Sequence, residues 1–184
     1  MTAITGLFSL KATFHGVLVN VDDVGVLLTG EADVGKSECA LELIVRGRHR
    51  LVADDVVEVE RLGNVVSGRS PDGFLGIIAV RGLGLIDLRC AFGDSSTDTE
   101  HSIELCIQFE ACRPPEECSL IGGEMSEAEI LGVKIPRFIF YSCRSRNLPV
   151  LVETAVKSLK NGEDRGGPSL SARLMSGSFH PDRV

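Results

Sequence analysis

The segment Gly30-Glu31-Ala32-Asp33-Val34-Gly35-Lys36-Ser37 constrains this chain more than any other, because it matches G-x4-G-K-[S/T] without deviation. Glycines at these positions let the backbone curl until successive N–H groups converge on one anion, and the dipole of a following helix reinforces that field. Lys36 then neutralises β- and γ-phosphate oxygens, and Ser37 holds Mg2+. At average residue frequencies a chance match occurs in under about one per cent of chains this long. The motif demands a strand before it and a helix after it, and both are readable. Residues 16–21 (GVLVNV) and 25–29 (GVLLT) are apolar, β-branched runs joined by Asp22–Asp23, which predicts a hairpin whose second strand feeds the loop. Over 36–46, Ala40, Leu43 and Ile44 share a helical face, Glu42 and Arg46 stand at i,i+4, and Gly47 supplies a stop. Glu31 and Asp33 are out of character. Two carboxylates in an anion loop lower phosphate affinity unless they point away.

A second feature lies where a phosphate-loop protein places its other metal contact or its base. Leu51-Val52-Ala53-Asp54-Asp55 is an apolar strand ending in two acids. Neighbouring residues of an extended strand point to opposite faces, so only one of Asp54 and Asp55 meets the phosphates unless the chain turns there. An aspartate beside a serine hydroxyl can take its proton during phosphoryl transfer and return it in the reverse direction.

The remaining pattern supplies the frame. Valine and glutamate alternate over 56–60, predicting a strand with one wet face, and a turn near 61–64 leads to Val65 and Val66. Residues 74–88 are apolar and glycine-studded, as backbone that approaches something closely would be. The polar run 93–100 reads as a loop, and 103–109 and 135–143 as strands. Residues 126–131 (SEAEIL) read as one or two helical turns, with Ser126 as cap and Glu129 three residues on. Pro149 opens a helix to about Lys160 with Val152, Val156 and Leu159 on one side. The fold class expected is α/β, a mixed, curved sheet around a phosphate loop, in a domain of residues 1–160. Residues 161–184, rich in Gly, Ser and Pro, are expected to form a flexible tail.

Composition narrows the function classes. A net charge of −7 and a pI near 5.1 oppose a general nucleic-acid binder. No apolar run approaches the ~20 residues of a membrane span, and the first residues lack a secretion signal pattern. The chain is therefore expected in the cytoplasm, with no membrane or nucleic-acid partner. Its six cysteines (Cys39, Cys90, Cys106, Cys112, Cys118 and Cys143) include no C-x2-C pair. Reduced thiols, several packed as small hydrophobes, are expected rather than a structural zinc site.

Taken in order, these residues resemble the catalytic domain of the HPr kinase/phosphorylase family, bacterial enzymes acting on a serine of the phosphocarrier protein HPr. The resemblance rests on FHGVLV at 14–19, GEADVGKSECALELIVRG at 30–47, HRLVADDVVEV at 49–59, RGLGLIDL at 81–88 and SRNLPVLVETA at 145–155. It implies a phosphate-loop core related to phosphoenolpyruvate carboxykinase, ATP and Mg2+ as cofactors, a small HPr-like carrier as partner, and a homo-oligomer, commonly a hexamer. Longer members carry a separate N-terminal domain, which the resemblance leaves out here. It places His15, Lys36 and Asp54 at catalytic positions, with Asp54 as proton acceptor in phosphorylation and donor in dephosphorylation. Ser37 falls at a magnesium position, with Asp55, Arg81, Asp87 and Arg146 as further site residues. Two family positions differ: Ala79 stands where the family has a second magnesium-binding Glu, and Leu120 where it has a further catalytic arginine. Such losses remove transition-state electrostatics, each about 10²–10³ in rate, so the alternative expectation is a nucleotide- or phosphate-binding module that has shed catalysis.

Overall fold

The computed structural model describes residues 9–111, 124–142 and 147–164. Twelve strands and three α-helices form among them. β1 (Leu10–His15), β5 (Val56–Leu62), β6 (Val65–Arg69) and β9 (Glu100–Ser102) make an antiparallel sheet in the order β1-β5-β6-β9. The larger sheet has the order β11-β12-β10-β3-β2-β4, built from β2 (Val17–Val21), β3 (Val24–Gly30), β4 (Arg50–Ala53), β10 (Leu105–Ala111), β11 (Glu124–Ile130) and β12 (Val133–Ser142). It is mixed: β3, β10 and β12 run parallel, and the other pairings are antiparallel. β7 (Ile77–Val80) and β8 (Gly84–Asp87) form a separate hairpin. The expected α/β class and mixed sheet are thus what the chain adopts.

Continuous burial along β2 and through the first part of β3 explains their unbroken apolar sequence, since both faces are covered. On one face, Val17, Val19, Val26 and Leu28 pack with Leu43 and Ile44 of α1 (Lys36–Val45) and with Val152 and Val156 of α3 (Leu148–Asp164). On the other, Leu18, Leu27 and Val52 meet Val57, Val59 and Val66 of the four-stranded sheet. The large sheet is the middle layer.

Local chemistry matches most of the sequence reading. The Asp22–Asp23 turn takes positive φ at both residues (50° and 62°), the geometry a two-residue hairpin prefers. Asn147 caps α3 through its side-chain oxygen, which accepts Val150 N–H at 3.2 Å. α3 continues to Asp164, so residues 161–164, read as the start of a tail, extend the helix; the rest of that tail lies outside the described residues. One reading is corrected. Residues 126–131 are not helical: Glu124–Ile130 is a strand paired antiparallel with β12. Ser126 and Ala128 are half-buried and Ile130 buried, while Glu127 and Glu129 face solvent, an alternation of period two. Ser126 Oγ caps nothing; it accepts Arg137 Nε at 2.9 Å.

A polar cluster joins the two long helices. Arg46 at the end of α1 pairs with Glu42 at 2.8 Å and with Glu153 of α3 at 2.6 Å, and buried His49 approaches Glu153 at 3.0 Å. Burial alone would raise the Glu153 carboxyl, but the His49 hydrogen bond and the Arg46 charge outweigh it and hold it below the usual range. A depressed carboxylate stabilises the fold above its unfolded pKa and loses that contribution as pH falls through the folded one. Glu153→Gln is therefore expected to lower unfolding free energy by about 1–3 kcal/mol at pH 7 in urea titrations. The deficit should shrink in acid, where the parent's carboxyl is itself protonated.

Candidate functional site

The site forms where the chain passes between its two sheets. Two such crossings lie side by side: at Gly16 between β1 and β2, and at Asp54–Asp55 between β4 and β5. Gly16 N–H donates to the Asp55 carbonyl at 3.1 Å and locks the crossings together. A side chain at Gly16 would press its Cβ to 2.6 Å from the Leu28 carbonyl, so the close approach requires glycine. The second crossing is a three-residue turn: Val56 N–H closes onto the Asp54 carbonyl at 2.8 Å with Asp55 at φ 66°. Turns of this kind are strained, at about 1–3 kcal/mol. The strain resolves the question of the paired acids, because the chain does turn and separates the two carboxylates.

Asp54 reaches the phosphate loop. Its Oδ1 accepts the Ser37 hydroxyl at 2.7 Å and its Oδ2 accepts Ala79 N–H from β7 at 2.9 Å. Burial raises its pKa, and the hydrogen bonds from Ala79 and Ser37 offset only part of that effect. Asp55 instead pairs with His15. The ring Nδ1 lies 3.0 Å from both the carbonyl oxygen and Oδ1 of Asp55. Both oxygens are acceptors, so Nδ1 is the ring nitrogen that donates here.

The loop itself follows the motif. β3 delivers Gly30 (φ 133°) against β10, where a Cβ would come within 2.2 Å of the Phe109 carbonyl. Gly35 (φ 98°) starts α1 without a side-chain cap, which leaves first-turn amides to an incoming anion. Val34 is anchored from the far side, its carbonyl accepting Ser142 Oγ at 3.0 Å. Lys36 Nζ, largely buried, donates to the Gly30 and Glu31 carbonyls at 2.9 and 2.8 Å. The two unusual acids part company. Asp33, at φ 64°, lines the phosphate cleft and pairs with Arg81, whereas Glu31 lines a separate cavity beside Gln108 and Glu110.

The resulting cleft is about 440 Å3 and brings His15, Ala32, Asp33, Gly35, Lys36, Ser37, Asp55 and Arg81 together. Asp87 is not among its walls. That side chain caps α2 (Leu88–Phe92), accepting Arg89 N–H at 2.9 Å and Cys90 N–H at 3.3 Å. Arg146 and Leu120 lie outside the described residues. Among cysteines, burial pushes the Cys39 thiol up to about 12 and Cys106 to about 11, which suits inert core packing. Two contributors had no signal in the sequence: Ser142 in β12, which belongs to no motif, and the Ala79 amide, whose part depends on backbone placement and not on its side chain.

Similarity to known proteins agrees with this geometry. The family described as HPr Serine kinase C-terminal domain matches residues 7–170. The chain is 40% identical over 151 residues to the HPr kinase/phosphorylase of Clostridium beijerinckii, covering 82% of this chain and 50% of that protein. It is 42% identical over 149 residues to that of Burkholderia lata, covering 80% and 46%. It thus spans about half the length of the curated relatives it matches. The structure of the Hpr(Ser) kinase/phosphatase from Coxiella burnetii superposes with a TM-score of 0.73 at 35% identity, covering 83% of this chain and 99% of that one.

Two measurements test the electrostatics. Asp33→Asn keeps a residue that tolerates positive φ, removes a carboxylate from the cleft and frees Arg81. It should tighten binding of nucleotide or inorganic phosphate about three- to tenfold by calorimetry, most at low salt. For Asp54 the sign is the reverse of the usual carboxylate. Its folded pKa is raised, so its charge penalises the fold above that pKa, and the penalty vanishes below the unfolded value. Asp54→Asn should melt above the parent at pH 8, with the gap closing toward pH 4.

Proposed function

The chain belongs to the HPr serine kinase C-terminal domain family, and from that premise we propose that it is an HPr-type protein serine kinase/phosphorylase. It would transfer a phosphoryl group from ATP to a serine of a small phosphocarrier protein and remove it again. The observation that carries the reading is the Asp54 carboxylate, held between Ser37 Oγ and Ala79 N–H at the mouth of the phosphate loop with its pKa raised by burial.

In the forward direction the phosphate loop amides and Lys36 hold the nucleotide phosphates. To do so, Lys36 exchanges its two carbonyl acceptors for phosphate oxygens. Asp54 takes the proton from the acceptor serine as its oxygen attacks the γ-phosphorus. Reversed, the protonated Asp54 returns that proton to the serine oxygen as the bond to phosphorus breaks and a phosphate oxygen of the new acceptor takes the phosphoryl group. A raised carboxyl pKa makes Asp54 a stronger base for the forward step and its acid form easier to populate for the reverse one. His15 holds Asp55 and the crossover in place from the opposite wall. The donors present fit Mg2+: a hydroxyl and a carboxylate 2.7 Å apart, both hard oxygens, leave coordination positions for phosphate. When bound, that ion supplies charge neutralisation at the transferring phosphoryl group. Ala79 lines the same cleft and contributes no carboxylate.

The test is transfer of phosphate from ATP to purified HPr. The parent should phosphorylate it, and Asp54→Asn should lose at least about 10²-fold in kcat while still binding nucleotide. Ala79→Glu adds a carboxylate at the cleft wall and should lower the Mg2+ concentration needed for half-maximal rate. Nucleotide binding with no transfer to HPr under any Mg2+ concentration would defeat the catalytic reading and leave a binding module.

A further inference from the structure

We propose that a groove adjoining the phosphate cleft seats an apolar side chain that neighbours the acceptor hydroxyl in the acceptor protein. The inference rests on the phosphoryl-transfer reading and deepens it. The groove is about 240 Å3, and Val56, Pro71, Phe74, Ile77 and Leu85 form its apolar wall. Small-molecule sites usually run to about 300–1,000 Å3, so this space suits one large side chain better than a nucleotide. Asp55, Ala79 and Leu85 line both the groove and the phosphate cleft, so an occupant of one lies beside the other.

Charge decides which part of the reaction belongs here. Lys36 and Arg81 stand on the phosphate-loop side of the cleft, while Asp54 and Asp55 stand at its boundary with the groove. With two carboxylates at that boundary, an anion is disfavoured in the groove beyond it. Running across the surface, the order is cations for the donor phosphates, a carboxylate for the transferred proton, then an apolar seat. The acceptor hydroxyl has to approach from the side opposite the nucleotide phosphates, and that side is the groove.

The groove is also exposed and prearranged. Phe74 is 59% exposed, Leu85 76% and the hairpin-tip Leu83 69%, a concentration of large apolar surface that marks an interaction site. Phe74 is fixed from both sides: its N–H donates to the Pro71 carbonyl at 3.1 Å, and its carbonyl accepts Ile77 N–H at 3.0 Å. Gly73 and Gly76, at φ 83° and 80°, permit that tight course. An aromatic ring held out by its own backbone loses little freedom on contact, which favours binding.

The experiment measures HPr affinity by calorimetry in the presence of a non-hydrolysable ATP analogue, beside steady-state transfer and sedimentation. Phe74→Ser should weaken HPr binding and raise the KM for HPr about tenfold, with affinity for the ATP analogue unchanged and kcat little altered. Phe74→Leu should recover most of the loss. Serine substitutions at the residues that flank the acceptor serine of HPr should weaken binding to the parent, yet cost nothing further against Phe74→Ser. Unchanged HPr affinity in Phe74→Ser overturns the proposal, and so does a change of oligomeric state with HPr affinity kept, which would make the patch a contact between copies. A parent that binds HPr without phosphorylating it defeats the catalytic reading alone, and the affinities of the variants still decide this one. A parent that does not bind HPr overturns both.

Discussion

The hydrogen bond from Ser37 to Asp54 ties together the two parts of the chain that chemistry needs, and most of the architecture can be read as the means of making it. Ser37 sits in the first turn of α1, whose position is set by β3 beneath it and by α3 across it. Asp54 sits at a break between sheets, whose position is set by the Gly16 contact and the pairing of β1 with β5. A 2.7 Å contact between them demands that both sheets and the helix layer be in register at once. That precision comes from the middle sheet, where β2 and β3 are buried on both faces and cannot slip without exposing a whole row of side chains.

Much of this was legible in the residues because the strongest signals are local. A glycine-bearing loop between an apolar run and a helical face is determined by backbone geometry over some twenty residues. The Asp22–Asp23 hairpin and the Gly47 stop are equally local. What escaped was set by tertiary contact. SEAEIL contains a plausible cap and good helix formers, yet β12 offers an unpaired edge and the alternate residues 126, 128 and 130 are the ones that face inward. Pairing overrode propensity. Tertiary placement also divides the segment 81–87: Arg81, Gly84 and Leu85 line the cleft, while Asp87 at its end caps α2.

The acids in the phosphate loop now have a physical account. A carboxylate in an anion site is tolerable when it has a cation of its own, and Asp33 has Arg81. Among the described residues, the Lys and Arg side chains that line the cleft both contact the protein's own oxygens, Lys36 through backbone carbonyls and Arg81 through a side chain. The contacts differ in what releasing them requires. Freeing Lys36 leaves two carbonyls in a loop where amides and water can rearrange. Freeing Arg81 leaves a carboxylate facing phosphate unless Asp33 swings into solvent.

The same distinction bears on direction. A polyanion that engages only the amides and Lys36 can enter without disturbing Arg81, whereas one that also needs the guanidinium must displace Asp33. Because the pair is mostly solvent-exposed, its strength is modest and falls with salt. Entry of a second anion to the Arg81 side of the cleft is then more sensitive to ionic strength than binding at the loop itself. A polyanion held at the loop alone and one that also reaches Arg81 are thus two distinct occupancies of one cleft. A cation guarded by a weak internal counterion discriminates between the two occupancies through electrostatics alone.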